Sequence, residues 1–165
     1  MIRDARFSHC GAFRYTLSRV WDRTFPPLLF VMLNPSTADE RTDDPTIRKC
    51  VGFARRLGYG AAHVVNVFAF RATDPKQLAR CGWPQGDRNE FEVLCAATEV
   101  VKRDGAIVAA WGAHARGRPE TDRVYRILAA LAPVYALRLL RDGTPAHPLM
   151  LPYSCRPQLY RPGEP

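Results

Sequence analysis

Leu28-Leu29-Phe30-Val31-Met32-Leu33, followed at once by Asn34-Pro35-Ser36-Thr37, is the stretch on which the reading of the fold turns. An unbroken apolar run of this length, without polar alternation, is the signature of a strand covered on both faces. The Asn-Pro-Ser-Thr cluster then stops it, because each of these residues favours a turn over a continuing ladder. Two further runs follow the same pattern: His63-Val64-Val65-Asn66-Val67-Phe68, leading to Arg71, and Ala106 to Trp111, ending at Gly112. A fourth strand is predicted over Val134 to Leu139, leading through Asp142-Gly143 to His147-Pro148.

Helical patterns lie between these runs. Asp44-Pro45 reads as an N-cap with proline in the first turn, and Ile47, Cys50, Val51, Ala54 and Leu57 recur at helical spacing until Gly58. The opposite face carries Arg48, Lys49, Arg55 and Arg56. Asp74-Pro75 repeats the capping phrase before a short helix. A longer helix is predicted with Phe91, Leu94, Cys95, Thr98 and Val101 on its buried face, and a last one with Val124, Ile127, Leu128 and Leu131. Strand alternating with helix implies a parallel sheet with right-handed crossovers. The expected fold is therefore α/β, three layers α/β/α around a four-stranded parallel sheet. An N-terminal β-hairpin (residues 1–25) precedes it and an irregular Pro- and Arg-rich tail (152–165) follows, all within one domain over 1–165.

Composition agrees. The 165 residues, 47% of them hydrophobic, suit a single domain with a real core. No apolar run is long enough to span a bilayer, and Met1 to Gly11 lacks the apolar stretch of a secretory signal. The five cysteines form no Cys-x-x-Cys pair, which suits free thiols in a reducing compartment. A cytoplasmic, membrane-free monomer is expected. The formal charge is +8, and Arg supplies 21 of the 24 basic residues. That ratio reads either as an electrostatic footprint for nucleic acid, since guanidinium forks match phosphates and base edges, or as GC-rich coding, which raises Arg and Ala together. The genomic reading is preferred, so the placement of the arginines carries more information than their number.

Ligands of parallel sheets bind beyond the carboxyl ends of the strands. Here those ends are Asn34-Pro35-Ser36-Thr37, Asn66 with Phe68 and Phe70, Trp111-Gly112-Ala113-His114, and His147-Pro148. A carboxamide such as Asn66 offers a donor and an acceptor side by side, matching the edge of a nucleobase. Phe68, Phe70 or Trp111 could stack on its faces. The segment Asn34 to Thr37, with Ser36 and Thr37, could hold an anionic oxygen or a water. His147 could stabilise a leaving base. Structural alternatives stand beside each reading: Asn66 bonding a loop, the phenylalanines filling the core, and His114 satisfied within its loop. No His-x-His or Glu-x-x-His spacing indicates zinc, and no Gly-rich phosphate loop or nucleophile elbow is present.

This arrangement resembles the uracil-DNA glycosylase superfamily. Leu33-Asn34-Pro35-Ser36 is similar to its first motif, in the Asn-Pro form of the mismatch-specific branch. Val65 to Arg71 with Asp74-Pro75 is similar to the second-strand segment of the iron–sulfur branches, and Ile107 to Gly112 to the third-strand segment. His147-Pro148 is similar to the start of the His-Pro-Ser motif. The resemblance covers roughly Leu28 to Leu151 in the correct order. A fuller one, over nearly the whole chain, is to a bacterial and phage domain of unknown function. It is carried by Leu33-Asn34-Pro35-Ser36-Thr37-Ala38-Asp39, Asp44-Pro45-Thr46-Ile47-Arg48, Asn66 to Arg71 and Ala110-Trp111-Gly112.

The superfamily resemblance implies a monofunctional DNA glycosylase that flips a natural or modified base and cleaves its N-glycosidic bond. Asn34 would position water, Asn66 would read the base and His147 would stabilise its departure. Leu149 and Met150 would wedge into the stack, while Arg71, Arg48 and Arg55 would hold phosphate. Most potent members use Asp where this chain has Asn34, so Asp39, Asp43 or Asp44 is considered as the carboxylate, with Asp39 preferred. Leu149 replaces the Ser of the last motif. Phe70 stands where the iron–sulfur branch often has Cys, and no cluster or other cofactor is expected. The alternative is a non-catalytic module that binds a nucleobase, nucleotide or DNA on the same fold.

Overall fold

In the computed structural model, which describes residues 1–163, the chain runs through β1 (Ile2–Phe7), β2 (Arg14–Val20), β3 (Pro27–Met32), α1 (Pro45–Arg56), β4 (Ala61–Asn66), α2 (Pro75–Arg80), α3 (Asn89–Val101), β5 (Ala106–Ala109), α4 (Pro119–Ala129), β6 (Val134–Ala136) and β7 (Gln158–Leu159). All seven strands join one sheet in the order β1-β2-β4-β3-β5-β6-β7. Its centre, β4-β3-β5-β6, is parallel, as the buried apolar runs imply. The N-terminal hairpin extends the sheet rather than standing apart from it, because β2 pairs antiparallel with β4. The expected tail contributes the two-residue β7 against β6, and its last residues, Glu164 and Pro165, lie outside the described residues.

The period of two along β3 divides the core. Leu28, Phe30 and Met32 face α1, in a cluster with Ile47, Cys50, Phe53 and Ala54, whereas Leu29, Val31 and Leu33 face α3 and α4 with Val93, Ala97, Val124 and Leu128. Both faces of the sheet are therefore dry, and β3 is buried along its whole length. The Asp44 side chain caps α1 through the Ile47 amide at 2.8 Å, and Asp74 caps α2 through the Lys76 amide at 2.9 Å, each with proline in the first turn.

Two expectations are corrected. The fourth strand is only Val134–Ala136. The buried face of α3 is Asn89, Glu92, Val93, Ala97 and Val100, while Phe91 and Leu94 are exposed. The helix is turned because two polar side chains on that face find partners inward. Asn89 Nδ2 donates to the carbonyls of Asn66 (2.8 Å) and Val67 (3.0 Å), and Glu92 accepts from Arg6 and Arg88. These bonds outweigh the apolar residues left in water.

Candidate functional site

From β3 the chain crosses by α1 to β4 on one side, and from β5 it crosses by α4 to β6 on the other. Between β3 and β5 the connections diverge, which is where a parallel sheet opens a crevice. A cavity of about 450 Å³ lies there on the α1 face, within the range that holds a small ligand. Its walls bring together the turn after β3 (Asn34, Ser36, Thr37), the end of β4 (Asn66), the turn after β5 (Trp111, Gly112, His114) and the segment after β6 (His147, Leu149). All four strand ends thus meet in one site. The start of α1 (Asp44 to Ile47) and Arg14 of β2 complete it.

The decisive residue is Asn66. It is 1% exposed, and neither Oδ1 nor Nδ2 has a hydrogen-bond partner among the described residues. Buried carboxamides are nearly always satisfied, because each unmet group costs about 1–3 kcal/mol. The Asn89 bond to the Asn66 carbonyl holds the backbone of this strand end in place, while the side-chain amide of this residue of the cavity wall is left without a partner. The larger cavity on the other face, about 510 Å³, lacks this property. Arg116 and Asp142 pair with each other there, and Arg118 pairs with Glu120.

Asn34 is half-buried and its carboxamide orientation is fixed: Nδ2 donates to the carbonyls of Ala72 (2.8 Å) and Pro35 (3.0 Å). Oδ1 is the end left to act on a ligand. His147 Nδ1 accepts from the Leu149 amide at 3.3 Å, so in the neutral ring Nε2 carries the proton. Burial lowers the His147 pKa from the usual 6.5; nearby Asp44 opposes this shift and His114 adds to it. The ring is thus a neutral N–H donor at pH 7.

Other predicted residues are not in the cavity wall. Phe68 is fully buried, its ring 5.3 Å from Trp83 in the α3 core, and Phe70 packs edge-on against Phe13 at 5.8 Å. Trp111 is the aromatic residue that lines the cavity. The Asp39 carboxylate is spent on its own turn, accepting from the amides of Arg41 (2.8 Å) and Thr42 (2.7 Å), which hold its pKa below the usual range. Asp44 is the carboxylate that lines the cavity. Arg71 stacks on Phe7 and reaches the Ser36 and Gly11 carbonyls, Arg48 turns back to the Asp43 carbonyl, and Arg55 lies over Trp21. None of the three lines the cavity. Leu149 does, while Met150 beside it is 88% exposed.

Sequence reasoning missed Arg14 and Asn89. Arg14 stands in a hairpin among other arginines, with no local signal to separate it from solvent-facing neighbours. Asn89 sits at the start of a helix, where Asn reads as a cap.

No helix among the described residues is long and apolar enough to cross a membrane. A family model described as Protein of unknown function (DUF1643) matches residues 14–149, a span that contains every wall of the cavity. No curated protein and no solved structure shows significant similarity to the chain.

Proposed function

Because the chain belongs to the DUF1643 family, whose description assigns no activity, its function is read from the cavity, and we propose a glycosylase-like hydrolase that cleaves the N-glycosidic bond of a nucleobase held by Asn66. The observation that carries this reading is the buried, unpartnered Asn66 carboxamide in a cavity shared with Asn34 and His147. A base edge presenting an adjacent N–H and C=O supplies both missing partners. The order of motifs around the cavity, which resembles that of the uracil-DNA glycosylase superfamily, supports the same chemistry.

The reaction uses groups already in place. Asn34 Oδ1 holds a water; it cannot take its proton, because an amide is not a base at neutral pH. Asp44 does so, in the role expected of Asp39. The water O–H bond breaks toward the Asp44 carboxylate, its oxygen bonds to the sugar carbon, and the carbon–nitrogen bond breaks with its electron pair on the base. The His147 Nε2–H donates a hydrogen bond to the charge that develops there. If the base lies in DNA, Leu149 and Met150 at the rim take the place vacated in the stack.

A second reading, a sensor that binds the base without cutting, is favoured by one observation: both Asn34 amide bonds go to backbone, as in a loop brace. Base release, measured by mass spectrometry on single- and double-stranded DNA with natural and modified bases and on free nucleotides, separates the two. The wild type is expected to release base from at least one substrate. Asp44→Asn keeps the helix cap, since Asn caps as well as Asp, and should slow release by about 10²–10⁴-fold with binding retained. No release from any substrate, with binding lost in Asn66→Ala and kept in Asn34→Ala, establishes the sensor instead.

A further inference from the structure

The reaction above leaves one buried charge unused. Arg14 is 2% exposed and lines the cavity. Among the described residues its side chain makes one hydrogen bond, from Nη1 to the Ala38 carbonyl at 2.8 Å, and Nε has no partner. No carboxylate stands within ion-pair distance of it among the described residues, although Asp44 shares the cavity. Burial pulls its pKa down to about 10; Asp44 opposes that shift, and the charges of Arg71 and Arg19 add to it. A guanidinium taken out of water without a counter-charge is costly, and the open Nε edge is the one that grips an oxyanion with two parallel bonds.

We infer that Arg14 anchors an anionic oxygen of the ligand, so that the cavity takes a nucleobase compound bearing a phosphate or a carboxylate in preference to a neutral base or nucleoside. This rests on the nucleobase reading of Asn66. The surroundings fit. The Ser36 and Thr37 hydroxyls share the wall with Arg14, and so does the first turn of α1, whose dipole favours negative charge. The Asp44 carboxylate on the same wall repels an anion, which restricts the charged oxygen to the Arg14 side and leaves a hydroxyl or N–H of the ligand to face Asp44.

The test is calorimetric titration of the full chain with two matched pairs: a nucleoside against its 5′-monophosphate, and uracil against 5-carboxyuracil. In the wild type the anionic member of at least one pair is expected to bind at least about 10-fold tighter, and the pair that shows it identifies the source of the charge. Arg14→Gln should erase the preference while neutral binding changes by less than about twofold, and Arg14→Lys should keep part of it, as a charge without the fork. Equal affinity within both pairs overturns the inference from the wild type alone, whether or not the variants fold. So does a preference that survives Arg14→Gln. Inorganic phosphate alone is the separating probe. If it raises the melting temperature of the wild type but not of Arg14→Gln while no base compound binds, the anion site stands and the nucleobase reading falls.

Discussion

Arg14 and Arg19 belong to the same strand, both are shut away from solvent, and their surroundings are opposite. Arg19, 0% exposed, donates Nε to Asp43 at 2.7 Å, Nη1 to the Ser18 carbonyl and Nη2 to the Asp39 carbonyl. Every part of its fork is used, and what it holds is the loop between β3 and α1. Arg14, which lines the cavity, has one bond and an Nε without a partner. A second pair repeats the contrast: Asn89 spends its Nδ2 twice on the end of β4, while Asn66 on that strand spends neither amide atom. Burial alone therefore does not mark function in this molecule. Among the described residues the buried side-chain atoms without partners belong to Arg14, Asn66 and, at Oδ1, Asn89; of these three residues Arg14 and Asn66 line the same cavity.

The comparison breaks or sharpens under substitution. The largest effect is expected at Arg19: Arg19→Met leaves Asp43 with only the more exposed Arg3, 3.5 Å away, orphans the Ser18 and Asp39 carbonyls, and should cost about 3–5 kcal/mol in urea denaturation. If Arg14→Met costs as much, the distinction fails; it should stay within about 1 kcal/mol of the wild type, because it removes a charge that has no counter-ion. Asn89→Ala, which orphans two strand carbonyls, should lose about 1–3 kcal/mol. Asn66→Ala removes groups that are already unpaired and should leave the melting temperature nearly unchanged while base binding disappears.

The smallest effect is that of pH. His147 and His63 both titrate below 6.5, chiefly through burial, so in that window the unfolded chain binds more protons than the folded one. The contribution of these two residues to stability is present above about pH 6.5 and declines as the pH falls below it. Melting temperatures at pH 7.5 and 5.5, compared for the wild type and His147→Gln, measure the share due to His147.

The central sheet could be read from the sequence because a strand covered on both faces leaves no choice of register: Leu28 to Leu33 has nowhere else to go. The Asp-Pro phrases were equally legible, since cap and first-turn proline act locally. So was the placing of Asn34, Asn66 and His147 on one side of the sheet, because parallel strands end on the same edge. That they share one cavity depends on the strand order, which only the structure gives. What escaped is what depends on partners distant in the chain. Phe68 and Phe70 sit at a strand end like Asn66, but the pleat, Trp83 and Phe13 claim them for packing. Asp39 and Asp44 look alike in sequence; only the turn that closes on Asp39 removes it from the site. The α3 face could not be chosen from periodicity, because Asn89 and Glu92 are drawn inward by acceptors and cations from other elements.

Gly112 carries a consequence for motion. Its φ is +79°, a Cβ added to it would stand 3.0 Å from His147 Cβ, and its amide donates to the Pro145 carbonyl at 3.0 Å. The turn after β5 and the segment bearing His147 are thus sewn together at this point with almost no clearance between them, and the two are expected to move together, as one jaw. A ligand that needs a wider entrance must obtain it from the opposite jaw, the Asn34–Ala38 turn and the start of α1. A single methyl group at position 112 would act as a permanent wedge in the seam.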